Sequence, residues 1–195
     1  MLEINSFDSQ WLIICGLSFS GKSTLGKAIA ERFEYAEVDV DVTKTSLYGQ
    51  GIKDKDLLPG DWSRIYTETD QLIEDLLRSG KSVVDASRNF SKTERFKAKD
   101  IAGKIGVPLI TVYVDTPEKI TRQRLDENRH HPTRRDVTDQ DFEDVIRAMQ
   151  PPTADEQPLI FHYQRDIDSW LSEHAEQLTP RRKNGIPKNA AQKYR

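Results

Sequence analysis

The residues best suited to chemistry come early, as Gly16-Leu17-Ser18-Phe19-Ser20-Gly21-Lys22-Ser23-Thr24, directly after the apolar run Trp11 to Cys15. Two glycines separated by four residues let the chain turn tightly, so successive backbone N–H groups can point inward where a helix begins and its dipole favours anions. A strand, this loop and a helix in that order hold the phosphates of a nucleotide. Lys22 is placed to reach the β and γ phosphates. Ser23 is placed to put its hydroxyl on a magnesium ion, which prefers oxygen ligands and keeps several waters.

Groups facing those phosphates must come from the carboxyl ends of the other strands, and acidic residues stand there: Asp39 and Asp41, Asp85 and Asp115. Asp85, after Val83-Val84, is expected to hold a magnesium-bound water opposite Ser23. Asp41 is expected to take the proton of a hydroxyl attacking the γ phosphate. Lys44, three residues on, would meet an anionic acceptor. Strand alternation lets Asp39 point the same way as Asp41, so either can be the base; Asp41 is preferred because Asp39 falls inside the expected strand. Positive charge arrives late, with Arg122, Arg124, Arg129, Arg134 and Arg135 close together. An arginine that swings onto the transferring group stabilises its spreading negative charge. Arg124 and Arg129 are the leading candidates and Arg122 follows. His130-His131 lacks metal-ligand spacing and is expected on the surface.

These groups need a scaffold, and the hydrophobic pattern supplies one. Strands are expected at Trp11 to Cys15, Tyr35 to Val40, Ser82 to Asp85, Leu109 to Val114 and Leu159 to Tyr163, with helices at Ser23 to Phe33, Ser63 to Arg78, Ser91 to Ile105, and from Thr116-Pro117 onward. An amphipathic helix with Ile167, Trp170 and Leu171 closes the series. Alternating strands and helices predict an α/β three-layer sandwich with a five-stranded parallel sheet, its ligand at the carboxyl ends of the strands. The charged stretch of about 122–152 is expected to form an arginine-rich helical lid, giving a domain over 1–179.

The 195 residues suit one core, and 31% charged residues with a mean hydropathy of −0.70 suit a soluble chain. No apolar run approaches the roughly 20 residues of a membrane span, and the first residues lack the pattern of a signal peptide. With a single cysteine, Cys15, the expectation is a cytoplasmic protein and a buried, inert thiol. The net charge of −3 hides a basic end: the last residues, 180–195, read as a flexible tail, mainly a solvated terminus, that can also contact nucleic-acid phosphates.

Taken together, the loop Gly16 to Ser23, Asp41-Val-Thr-Lys44, Gly80-Lys-Ser-Val-Val-Asp85-Ala, and Arg124-Leu125 to Arg129 resemble the adenylate-kinase-like P-loop kinases. The pattern is most similar to AAA_33-type ATP-binding proteins, related to the kinase domain of phage polynucleotide kinase and to zeta toxins. Pro152-Thr-Ala-Asp-Glu156 has the same flavour, and the resemblance spans about 10–172. It implies ATP as donor, magnesium, and transfer of the γ phosphate to an acceptor hydroxyl. It also implies that Arg88 contacts the acceptor or its phosphate. Lys44 stands where an arginine suited to bidentate phosphate recognition is more usual in the phage-type enzymes, so the acceptor does not carry over.

The leading expectation is an ATP-dependent kinase acting on a hydroxyl of a small molecule, nucleoside or polynucleotide end. The alternative is a P-loop hydrolase acting as a nucleotide-dependent switch. An Asn-Lys-x-Asp guanine element is absent from the sequence, and the acceptor and oligomeric state are not legible in it.

Overall fold

A computed structural model describes residues 9–180. Strand β1 (Trp11–Cys15) is buried at every position, as an all-apolar run must be when a sheet is covered on both faces. With β2 (Ala36–Val38), β3 (Val83–Asp85), β4 (Leu109–Asp115) and β5 (Leu159–His162) it forms one sheet in the order β2-β3-β1-β4-β5. All four pairings are parallel, so all carboxyl ends share one edge. The register sets Ile13 beside Asp85 and Cys15 beside Tyr113, which brings Asp85 to the edge where the glycine-rich loop begins.

Helices cover both faces, completing the three layers. Leu12 and Ile14 pack against Leu25, Ile29 and Phe33 of α1 (Lys22–Phe33). Trp170 and Leu171 of α7 (Ile167–Glu173), and Leu178 at the end of α8 (Ala175–Leu178), join this layer. Trp11 and Ile13 face the other way. They pack on Ile73 and Leu77 of α3 (Pro59–Arg78) and on Ala98 and Ala102 of α4 (Lys92–Ile105). The remaining helices are α2 (Val40–Tyr48), α5 (Glu118–His130) and α6 (Asp139–Ala148).

Several boundaries differ from the sequence expectation for physical reasons. The second strand stops at Val38, because Asp39 caps α2 and its carboxylate accepts the Asp41 N–H at 2.8 Å. Asp39 is therefore not a strand residue, and Asp41 lies in the first turn of a helix. Helix α2 was not expected, since Val40, Val42, Thr43 and Thr45 are poor helix formers. Packing against α3 and burial of Lys44 hold it instead. Helix α3 starts at Pro59, with proline in the first turn, rather than at Ser63. Pro117 caps α5 from just outside. The charged stretch divides into α5, a connection and α6. The basic tail, apart from Pro180, lies outside the described residues. Among those described, no helix is long and apolar enough to cross a membrane.

Candidate active site

The glycine-rich loop has the backbone its sequence demands. Gly16 and Gly21 take φ of 146° and 111°, and a Cβ on Gly16 would stand 2.8 Å from the Val114 carbonyl. Only glycine fits there. Gly21 caps α1 with no side-chain bond to the helix N-terminus, and the first turn carries no acidic residue, so no side chain of the cap or first turn competes with an anion for the free N–H groups there. The Ser20 hydroxyl is buried and has no partner among the described residues. Lys22 donates from Nζ to the Gly16 and Leu17 carbonyls, at 2.9 and 2.8 Å. Burial, and then the charge of Arg134, lowers its ammonium to about 7. An anion placed in the loop would accept from the orphaned hydroxyl and favour the charged form of the lysine together. The donor set fits a phosphate chain.

Two neighbours lock the loop from outside. The Thr116 hydroxyl donates to the Ser20 carbonyl at 2.9 Å, and Arg124 donates to the Phe19 and Ser20 carbonyls at 3.1 and 2.9 Å. Phe19, itself at a φ of 62°, packs with Leu125 of α5 and Phe142 of α6. Beside it opens a cleft of about 630 Å³ whose walls include Gly21, Thr24, Arg124, Arg134, Tyr163 and Ile167. Its size suits a nucleoside attached to the phosphates in the loop.

Asp85 is fully buried at the end of β3. One of its oxygens accepts the N–H and hydroxyl of Ser87, and the other accepts Arg88 Nε at 2.7 Å and Asn89 Nδ2 at 3.4 Å. Four donors fill the acceptor positions of a carboxylate. Asp85 therefore anchors Arg88 and reaches a magnesium-bound water only where Asn89, its longest donor, yields. Ser23 is exposed at the start of α1 and fits the role of metal ligand. No cluster of three His, Cys, Asp or Glu side chains suited to a metal occurs among the described residues. A magnesium ion would depend on phosphate oxygens and water, as it commonly does in nucleotide sites.

The β2–α2 junction is tied to the same edge, because the Val40 N–H donates to the Ser87 hydroxyl at 3.1 Å. Asp39 is crowded there. Burial and the neighbouring Asp41 and Asp85 charges raise its carboxyl, against lowering by the Asp41 N–H and Arg134. Asp41 points into an ionic cage. Buried Lys44 bonds Asp41 at 2.5 Å and Asp54 at 2.8 Å, while Arg135 reaches the same two carboxylates at 3.4 and 3.0 Å. Burial would raise Asp54, but hydrogen bonds from Lys44 and Arg135 bring it below the usual carboxylate range.

The five arginines have separate tasks. Arg122 joins Glu118 and Glu143 and braces α5 against α6. Arg129 bonds Asp139 at 2.8 Å and the Val137 carbonyl at 3.1 Å, inside the arm made by the two helices. It is placed as scaffolding there, and Arg124 as a clamp on the loop backbone. Arg134 is the one set over the Phe19 ring, its guanidinium carbon 4.5 Å from the centroid. Its delivery depends on Asn128, a buried residue that sequence reasoning missed. The Asn128 side chain accepts the Thr133 and Arg134 N–H groups at 3.1 Å and donates to the Arg134 carbonyl at 3.1 Å. The sequence placed Arg134 only within a run of charge, because nothing local says which way the 131–135 connection turns.

The model of the AAA_33 family, an AAA domain, matches residues 12–152. Solved structures share the architecture. The APS kinase CysC of Mycobacterium tuberculosis, in complex with AMPPNP and APS, is 20% identical with a TM-score of 0.64, over 88% of this chain and 98% of that one. A gluconokinase from Sinorhizobium meliloti is 19% identical with a TM-score of 0.57, over 98% and 100% of the two chains. Chaetomium thermophilum Kti12, in complex with ADP-AlF3, is 13% identical with a TM-score of 0.68, over 87% and 99%. At these identities the likeness concerns the fold. No curated protein matches the sequence.

Proposed function

This chain belongs to the AAA_33 family, and from that premise we propose that it is an ATP-dependent kinase, transferring the γ phosphate of ATP to an alcohol hydroxyl on a small molecule, nucleoside or polynucleotide end. One observation carries the proposal: on the α5–α6 connection Arg134 lies over the Phe19 ring of the phosphate loop at 4.5 Å, and the next residue, Arg135, pairs with Asp41 of α2 at 3.4 Å. The arm therefore touches both the phosphate loop and the acidic β2–α2 junction. The kinases among the structural neighbours support the same class of reaction.

In the proposed reaction, the loop N–H groups and Lys22 hold the triphosphate, and the cleft beside Phe19 takes the nucleoside. Magnesium, held through Ser23 and phosphate oxygens, would neutralise part of the charge on the β and γ phosphates. The acceptor hydroxyl lies at the β2–α2 junction and gives its proton to Asp41. Its oxygen forms a bond to the γ phosphorus as the bond to the bridging oxygen breaks, and ADP leaves. Arg134 stabilises the equatorial oxygens as negative charge spreads over them. Lys44 and Arg135 position the Asp41 carboxylate, and Arg88 faces the acceptor. In this scheme the α5–α6 arm is the lid of a domain over 1–179.

The second reading, a hydrolase working as a switch, is favoured by the contact of Arg135 with Asp41 and Asp54, which ties the arm to α2 through the protein's own side chains. Phosphate transfer decides between them. With labelled ATP and an acceptor panel, a kinase gives a labelled product in proportion to ADP formed. Hydrolysis at the same rate whatever acceptor is added would overturn the kinase proposal.

A further inference from the structure

A second cavity, of about 150 Å³, is lined by Trp11, Tyr66, Asp70, Arg88, Asn89 and Ala98 among others. Trp11 is 1% exposed, and its indole N–H has no hydrogen-bond partner among the described residues. A buried donor without an acceptor is destabilising and uncommon in native interiors. The side chain is otherwise well placed, packed with Ile13, Val38 and Ile73 on its face of the sheet. A ligand oxygen entering the cavity would remove the one defect.

The charges around the cavity are already matched. Arg88 pairs with Asp70 and Asp85, each at 2.7 Å, and Lys97 pairs with Asp70 at 2.6 Å. Glu94, also on the wall, accepts the Ser91 N–H and hydroxyl at 2.8 and 2.9 Å. Each cation on the wall thus has a carboxylate, and Glu94 adds further negative charge. An anionic group entering here would meet no unpaired cation, and would lose its own hydration.

Aromatic faces lead from the ionic cage to the cavity. Lys44 Nζ lies 5.7 Å from the Trp62 ring centroid, the Trp62 and Tyr66 centroids are 5.8 Å apart, and the Arg88 guanidinium lies 6.0 Å from Tyr66. The size sets a limit as well: an engineered cavity of about 150 Å³ in another protein takes up benzene, a single six-membered ring.

We infer that this cavity receives the ring of an uncharged hydroxyl compound, a nucleoside or a neutral sugar, with a ring or carbonyl oxygen on the Trp11 N–H. The inference rests on the kinase proposal and narrows it. Polynucleotide ends and acid sugars carry anionic groups for which these walls provide no counter-charge.

Calorimetry on the full chain saturated with magnesium and AMPPNP tests the cavity apart from the chemistry. The probes are thymidine and glucose, each beside an anionic counterpart, thymidine 3′-monophosphate and gluconate. One uncharged probe should bind, and its counterpart should bind at least about tenfold more weakly, a difference of about 1.4 kcal/mol. Which one binds separates nucleoside from sugar. Equal or tighter binding of the anionic partner, or binding of neither pair, overturns the inference.

Trp11→Phe keeps the ring and removes the donor. It should weaken the uncharged probe about tenfold, leave AMPPNP affinity unchanged, and leave Tm level or higher because the unpaired N–H is gone. An unchanged probe affinity in Trp11→Phe overturns the inference. Ala98→Met, filling the cavity from α4, is the second variant and should abolish probe binding; full binding there overturns it too. Probe binding without transfer once ATP replaces AMPPNP would leave the cavity assignment standing and remove the kinase proposal.

Discussion

The guanidinium of Arg134 sits 4.5 Å from the centroid of the Phe19 ring, so the α5–α6 connection rests its cation directly on the tip of the phosphate loop. In the proposed reaction this arginine turns from the Phe19 ring to the γ phosphate. Arg134→Ala should therefore lower kcat by on the order of 10²-fold with little change in ATP affinity, the pattern for a group used in the transition state. Arg129→Ala, which removes a brace inside the arm, should change kcat less than about tenfold. Steady-state kinetics on the two variants check this, and the reverse ranking would return the role to Arg129.

The phosphate loop was legible because its chemistry lies in eight adjacent residues. The parallel sheet was legible because apolar runs and helical periods alternate along the chain. What local pattern could not supply was direction. Val40 reads as the end of a strand and Val42 and Thr43 as part of no element, and only packing of α2 on α3 and the Asp39 cap make them helix. Arg124, Arg129 and Arg134 look alike in a charged run, and the separation of their tasks comes from Asn128 turning the connection through its backbone. The Trp11 cavity brings together residues from β1, α3, α4 and the β3–α4 loop, so no spacing announces it.

The two acids at the β2–α2 junction can be told apart. Asp41→Asn should leave ATP affinity nearly intact and lower phosphate transfer by about 10²–10⁴-fold, the usual value of a general base. Asp39→Asn should cost less than about tenfold in the same assay. If Asp39 is the base instead, the ranking inverts. Its raised carboxyl would then place the acidic limb of kcat/KM above the ordinary aspartate value of about 3.9. A pH profile of both variants measures this.

A stability prediction comes from the far side of the acceptor region. Arg95 is buried and grips Glu156 through Nε and Nη2 at 2.6 and 3.0 Å, fastening α4 to the turn before β5. Removing one partner of such a pair strands a buried charge and costs about 3–5 kcal/mol. Glu156→Ala should therefore lower Tm by on the order of 10 °C in a domain of this size. Replacing both partners, Arg95→Met with Glu156→Leu, should recover much of that loss, since two apolar side chains leave no unpaired charge. Thermal denaturation of the single and double variants tests the pair, and equal Tm for Glu156→Ala and the parent would show that Glu156 does not bear on it.

Lys22 makes the nucleotide step itself sensitive to pH. Its ammonium is lowered from an ordinary value of 10.5 to about 7 by burial and Arg134, so at pH 8 the ligand-free site holds mostly neutral amine. The folded chain binds fewer protons here than the unfolded chain between about pH 7 and 10.5. Lys22 therefore opposes folding most at low pH, and stability from this residue rises as pH increases through that window. A triphosphate in the loop reverses the balance, because an anion within a few ångströms favours the charged lysine. ATP binding at pH 8 should take up close to one proton, and at pH 6, where the amine is already protonated, almost none. Calorimetric titrations in buffers of different ionisation enthalpy measure the uptake. Lys22→Ala should abolish both the pH 8 uptake and turnover, whereas an equal uptake in that variant would place the titrating group elsewhere.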